Sequence, residues 1–378
     1  MNILVIANTY PNRIAPHYGS FVYNLMQELA KSNQITVISP FKVHHLFNRK
    51  QISYGEEKCH VLRPLQLTFS NKNILGFNTV KLSLFFYKRS VHKALKKIKT
   101  QPEVIYVHFL LNCLPILDYA EKSNIPIVVA SGESTYTGWE AIDEALQTRA
   151  RKLIKHVICV SQDNKDRLIS LGFDSDKLTV VPNAVNQNLF KPLDKAICKQ
   201  KLGILNNKFV VGFVGHFIDR KGPNRLIEAI QRLDDSDIQL VCVGNGGELR
   251  KNTFTKVLEP MPNSALPEIY NAFDVFVLPT LHEGHCNAIE EAKACGIPII
   301  SSLGTSVEEQ INSDIGILVN PLNIEEIAEG ILLLKANPDI RSKMASNLRQ
   351  STDVYFLPNR ASKISEILYK YNKVQIGE

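Results

Sequence analysis

Two glutamates in the run EGHCNAIEE stand out: Glu283 and Glu291, eight residues apart. Ahead of them 274–279 (DVFVLP) reads as a buried strand, and behind them 298–301 (PIIS) reads as the next one. Glu283 therefore falls in a strand-to-helix loop and Glu291 about one turn into the helix. The amides of Gly284, His285, Cys286 and Asn287 occupy the loop and helix start, where unpaired N–H groups and the macrodipole attract an anion. A carboxylate repels phosphate but accepts hydrogen bonds from sugar hydroxyls, each such charge-assisted bond contributing about 1.5–3 kcal/mol. An acid-rich helix start would look similar by itself. One loop offering both kinds of group fits an activated sugar, a nucleotide diphosphate joined to a pyranose.

A second loop supplies the cations such a ligand needs. The segment 214–223 (VGHFIDRKGP) follows a strand and opens a helix, with Pro223 suited to the first turn. It carries Gly215, His216, Arg220 and Lys221. A departing nucleoside diphosphate gains negative charge as the C–O bond breaks, so fixed cations there stabilise the transition state more than the ground state. Gly19 follows the first strand and precedes a helical face of Phe21, Val22, Leu25, Met26 and Leu29, which permits close backbone approach to phosphate. It is a single glycine rather than a glycine-rich run. Two Asp-Ser-Asp triplets, 174–176 and 235–237, each lie just before a strand, at the edge of a sheet away from ligands, and read as turns rather than metal sites.

The elements around these loops alternate. In the first half, strands are expected at 2–8, 34–39, 103–109, 125–131, 156–161 and 178–182, with helices near 20–32, 80–99, 139–154 and 162–171. In the second half, strands near 208–215, 238–243, 255–258, 274–279 and 297–301 alternate with helices near 223–233, 265–272, 288–295, 324–335 and 338–350. This alternation predicts parallel sheets covered on both faces, with the ligand at the carboxyl ends of strands. A chain of 378 residues suffices for two such domains. The polar segment 186–192 marks the join, and 359–373, with Ile364, Ile367, Leu368 and Tyr371 on one face, is the last helix.

Composition is that of an ordinary folded protein, 44% hydrophobic and 21% charged, and no run approaches the roughly 18 apolar residues of a membrane span. The start, MNILVIA, reads as a buried strand rather than a secretion signal. Seven scattered cysteines without a Cys-x-x-Cys pair suit reduced thiols in a cytoplasmic setting. Charge is uneven. Residues 1–186 hold 23 Lys and Arg against 14 Asp and Glu, whereas the whole chain carries +7. Between Glu57 and Glu103 there are ten basic residues and no acid. Lys81, Lys88, Arg89, Lys93, Lys96, Lys97 and Lys99 alternate there with apolar residues, outlining a basic amphipathic helix over 80–99. It reads either as a solvated face or as a surface for anionic lipid at the inner membrane face. Nucleic acid is not expected, because the basic residues surround no stacking platform.

The spacing Glu-x7-Glu within EGHCNAIEEAKACGIP resembles the signature of retaining glycosyltransferases of family 4, which have the GT-B fold. The blocks 18–21 (YGSF), 104–109 (VIYVHF), 157–161 (VICVS), 181–190 (VPNAVNQNLF), 214–222 (VGHFIDRKG) and 316–321 (GILVNP) fall in the family's order across most of the chain. The resemblance implies two Rossmann-like domains facing across a cleft. Residues 1–185 plus 358–378 would form the acceptor-side domain, to which the last helix returns, and 186–357 the donor-binding domain. It implies sugar transfer from a nucleotide-diphosphate donor to a hydroxyl with retention; with the Asp-Ser-Asp triplets read as turns, no metal or other cofactor is expected. A lipid-linked envelope glycan or surface polysaccharide is the expected acceptor class. By the same resemblance Glu291 accepts from the ribose hydroxyls, Glu283 meets the transferred sugar, and Lys221 holds the pyrophosphate. His108 matches the second histidine of a His-x-His block. Two departures stand out: the family pattern has Arg where His216 stands, and His-Gly where Gly132-Glu133 stand, so that Glu133 or Ser134 would take that contact. They keep two rivals open, a nucleotide-sugar epimerase of the same fold and a non-catalytic binding partner.

Overall fold

The computed structural model describes residues 1–47, 55–69, 73–74, 77–351 and 356–372. The expected helix end at Lys373 and the five residues after it lie outside the described residues. The chain divides into two compact units. One comprises Met1–Val160, Asn164–Val181 and the segment from Arg360, and the other Ser161–Asp163 with Pro182–Asn359.

The first unit is built on seven strands: β1 (Asn2–Ile6), β2 (Gln34–Ile38), β3 (His60–Leu62), β4 (Val104–His108), β5 (Ile127–Ser131), β6 (Ile154–Cys159) and β7 (Leu178–Val180). Their order is β7-β6-β5-β4-β1-β2-β3, every pairing parallel. Ile3, Val5, Val107, Val129 and Val157 are fully buried, as a sheet covered on both faces requires. Helices α1 (Ser20–Leu29) and α2 (Thr79–Leu95) belong to this unit. The helix expected over 139–154 is two, Thr137–Glu140 and Glu144–Leu153, because Asp143 accepts the Ala145 and Leu146 amides and starts the second afresh.

The second unit repeats the plan with β8 (Phe209–Val214), β9 (Ile238–Val243), β10 (Thr255–Leu258), β11 (Val275–Leu278), β12 (Ile299–Ser302) and β13 (Gly316–Val319). Their order is β10-β9-β8-β11-β12-β13, again parallel throughout. Helices α3 (Pro223–Leu233) and α4 (Asn287–Ala294) follow β8 and the β11 loop. Leu226, Ile227 and Ile289 share one buried core with Val211, Phe213 and Phe276. The last helix, Leu357–Lys370, joins the first unit from Arg360 onward: the buried Arg360 donates to the Val181 carbonyl at 2.7 Å, and Tyr371 stacks on His156.

In each sheet the first strand has neighbours on both sides, and the chain reverses its direction of travel across the sheet there. The loops after β1 and β4 diverge at the carboxyl edge of one sheet, and those after β8 and β11 at the edge of the other. Open α/β sheets receive ligands at such switch points.

The two Asp-Ser-Asp triplets are turns. Asp174 accepts the Asp176 amide and Asp235 the Asp237 amide, just ahead of β7 and β9 and thus at the amino edges. All seven cysteines are buried free thiols. Among the described residues no helix is long and apolar enough to cross a membrane.

Candidate active site

The loops after β8 and β11 are tied to each other. The Leu281 amide and Thr280 hydroxyl donate to the Arg220 carbonyl, at 2.8 and 3.2 Å. Gly222 makes this approach feasible. It caps α3 with φ 75° and ψ 27°, and a Cβ there would lie 2.4 Å from the Pro279 carbonyl oxygen. Arg225 reaches back from α3 to the same carbonyl at 2.9 Å.

Glu283 is the hub. Its Oε1 accepts from Lys221 Nζ at 2.5 Å, from Arg220 Nη1 at 3.0 Å and from the Thr280 hydroxyl at 2.8 Å. Its carbonyl accepts from Ser306 at 2.6 Å. Arg220 also donates to the His282 carbonyl. Two cations and a carboxylate thus share one point at the switch position. Lys221 lies against Gly215: a Cβ there would sit 3.9 Å from the Lys221 Cδ and 3.8 Å from the Phe213 ring. His216 is exposed beside them.

Helix α4 separates two adjacent glutamates. Glu290 is 2% exposed, with Lys293 at 3.2 Å, Gln310 Nε2 at 2.8 Å and His285 Nε2 at 3.7 Å. Glu291 is half-buried on another face, accepting from Asn263 Nδ2 at 2.9 Å and the Tyr270 hydroxyl at 2.8 Å. Burial pushes the Glu291 carboxyl up to about 7, and the bonds from Tyr270 and Asn263 offset only part of that rise. Burial raises Glu290 as well, against the pull of Lys293.

The expectation of four anion-seeking amides needs one correction. The Cys286 N–H donates to Gln310 Oε1 at 2.8 Å, and Gln310 Nε2 returns a bond to the Cys286 carbonyl at 3.1 Å. That amide therefore shapes the loop from within the protein. Asn183, from the VPNAVNQNLF block, donates to the His285 carbonyl at 3.1 Å and braces the same turn. Gly284 and His285 are buried, and Asn287, the first residue of α4, is half-buried. Sequence reasoning missed Thr280, Ser306, Gln310, Asn263 and Tyr270. All act across the fold, and no local spacing announces them.

In the first unit Gly19, His108 and Glu133 gather at the carboxyl edge. Gly19 caps α1 with the same φ 75° and ψ 27° as Gly222, and a Cβ there would sit 2.5 Å from the Thr9 carbonyl oxygen. His108 ends β4 at 4% exposure, packed by the rings of Phe21 and Phe109 at 5.3 and 4.9 Å. Burial, reinforced by the Arg360 charge, lowers it to about 3, which favours the neutral imidazole. Glu133 braces a turn. Phe109 holds φ 70°, uncommon for an aromatic residue, and Glu133 Oε1 accepts the next amide, that of Leu110. Its Oε2 accepts from Ser131 at 2.7 Å, and burial raises its carboxyl.

Two family models cover nearly the whole chain. Residues 19–189 match the glycosyltransferase family 4 model and 194–351 the group 1 glycosyl transferases. The chain belongs to the family 4, group 1 glycosyltransferases. It is an enzyme of the glycosyltransferase class, which sets aside the epimerase and non-catalytic readings. The transferase is 24% identical over 397 residues to TuaC of Bacillus subtilis (strain 168), named for teichuronic acid biosynthesis, covering 96% of both chains. It is 30% identical over 235 residues to an Escherichia coli protein named UDP-Gal:alpha-D-GlcNAc-diphosphoundecaprenol alpha-1,3-galactosyltransferase, covering 56% of this chain and 60% of that one. Among solved structures it superposes on Anabaena Alr3699/HepE in complex with UDP-glucose with a TM-score of 0.74 at 18% identity, over 98% of this chain and 100% of that one. Such likenesses establish the fold as GT-B.

Proposed function

We propose that this transferase moves a sugar from a nucleotide-diphosphate donor to a hydroxyl of a growing or lipid-linked glycan, retaining the anomeric configuration, and that the donor sits at the carboxyl edge of β8 and β11. The observation that carries this reading is the shared point of Lys221, Arg220 and Glu283 at the switch position, with the half-buried Glu291 beyond it. Lys221 and Arg220 face the diphosphate and neutralise the charge that accumulates as the glycosidic bond breaks. Glu291 takes the ribose hydroxyls, and Glu283 fixes both cations while offering its remaining lone pairs to the sugar. A carboxylate neutralised by two cations on one oxygen is a weak nucleophile. This favours a same-face displacement, in which the leaving phosphate accepts the acceptor's proton, over a glycosyl–Glu283 intermediate. The UDP-glucose complex of Alr3699/HepE supports a nucleotide-sugar donor, and the relatives named for teichuronic acid and diphosphoundecaprenol-linked sugars support the acceptor class.

A thermal-shift panel of UDP, GDP and ADP with their hexose conjugates tests the donor half. A donor at 100-fold its dissociation constant adds about 2.7 kcal/mol to stability. Stabilisation by one nucleotide series, abolished in Lys221→Ala/Glu291→Ala, is the expected result. No response to any of them refutes the donor assignment.

A further inference from the structure

Helix α2 does not present an ordinary solvated face. Its inner side buries Tyr87, Val91, Ala94 and Leu95, yet Leu82 and Phe85 are 43% and 56% exposed on the outer side. The same outer stripe continues into Lys88, Arg89, Lys93 and Lys96, which with Phe85 and His92 line an open groove of about 510 Å³. Only Lys88 among these cations meets an acid, Asp118 at 3.4 Å, in the ion pairs of the described residues.

Neighbouring segments extend the apolar end. The Phe69 amide bonds the Ser83 hydroxyl, and the Phe69 ring lies 5.9 Å from Phe86. Ser90 holds the Leu65 carbonyl at 3.0 Å. Thr68 meets His44 of the short helix Val43–Phe47 at 3.4 Å. These bonds stitch three segments into one surface, on which Leu65, Leu67 and Phe69 are 56%, 42% and 42% exposed, and Leu46 and Phe47 are 57% and 83% exposed. So many large apolar side chains in water beside a cationic groove mark a contact surface.

We propose that this face of the first unit docks on a bilayer carrying anionic phospholipids. Phe47, Phe69, Leu82 and Phe85 enter the interfacial layer, and Arg89, Lys93 and Lys96 hold lipid phosphates. Charge complementarity selects the occupant: the chain from 58 to 102 holds ten basic residues and no acid. The mixture selects it further, because an interface of acyl chains under phosphates takes apolar tips and long cationic stems side by side. A nucleic acid would leave the apolar end uncovered. The inference goes beyond the donor chemistry and does not depend on it.

The test is co-sedimentation of the full chain with vesicles of phosphatidylcholine alone and of phosphatidylcholine mixed with phosphatidylglycerol, at low and high salt. Binding to the mixed vesicles that weakens with salt is expected. Arg89→Gln/Lys93→Gln/Lys96→Gln should lower the partition coefficient by about 100-fold, at roughly five-fold per cation. Phe47→Ser/Phe85→Ser should lower it by at least about ten-fold without changing the salt dependence. All these side chains are exposed, and unaltered thermal unfolding of each variant verifies its fold. Equal binding to both vesicle types, no binding to either, or retention of heparin and DNA with no vesicle binding would each overturn the proposal.

Discussion

Replacing Glu291 by Gln separates the cost of the site from its use. The wild-type carboxyl ionises at about 7 in the folded protein rather than at its ordinary value of 4.5. The unfolded chain loses this proton first, so between those values the folded state binds more protons, and stability falls as pH rises. The fall is complete above about pH 7 and corresponds to about 3 kcal/mol. Glu291→Gln keeps a neutral side chain that can bond Tyr270 and Asn263, so the variant should be more stable than the wild type by up to that amount at about pH 8 and equal to it below about pH 4.5. Binding should run the other way. If the ionised form accepts the ribose hydroxyls, wild-type affinity for the nucleoside diphosphate identified by thermal shift rises about ten-fold from pH 6 to pH 8 relative to the variant. Taking the ratio of the two proteins cancels the ligand's own titration. Urea unfolding and isothermal titration at matched pH read both effects. Parallel stability curves for the two proteins, or an affinity ratio independent of pH, would rule out an ionised Glu291 as the ribose acceptor.

Three further outcomes follow from the geometry. Lys221→Ala should lower kcat by about 100- to 1,000-fold through loss of charge at the leaving phosphate; because Lys221 and Glu283 share a contact, adding Glu283→Ala should cost less than the two single losses combined, as a double-mutant cycle reads directly. Gly222→Ala places a Cβ 2.4 Å from the Pro279 oxygen at φ 75° and should destabilise by more than about 2 kcal/mol in urea, whereas Gly304→Ala, at φ 76° with open space, should lose only about 1–2 kcal/mol. Lys293→Met should cost about 3–5 kcal/mol in urea by leaving Glu290 buried without its cation, and Glu290→Gln in the same chain should restore most of it.

What was legible in the sequence was local. The strands 238–243 and 255–258 and the helix 223–233 match their expected limits, because apolar runs there are bounded by turn residues and by Gly222-Pro223. The edge strands His60–Leu62 and Gly316–Val319 went unread, being short and lacking a clear apolar alternation. So did the helix Lys195–Lys201, whose residues are mostly polar or basic. In the site, the two glutamates and Lys221 were legible from motif spacing, but their partners were not. Tyr270 reaches Glu291 across 21 positions, and Gln310 takes the Cys286 amide across 24. Such pairings are set by which strands neighbour each other, which a local pattern does not encode. Likewise the alternating apolar residues of α2 predicted a helix, but not that Leu82 and Phe85 would face water.

In the proposed complex the donor diphosphate lies between Lys221 and the start of α4, with its ribose on Glu291. A crystal structure of the transferase with its nucleotide-sugar tests it most directly. Phosphate oxygens within hydrogen-bond distance of Lys221 Nζ, and both ribose hydroxyls on the Glu291 carboxylate, are expected. Nucleotide bound at any other place, with Lys221 touching only Glu283, would contradict it.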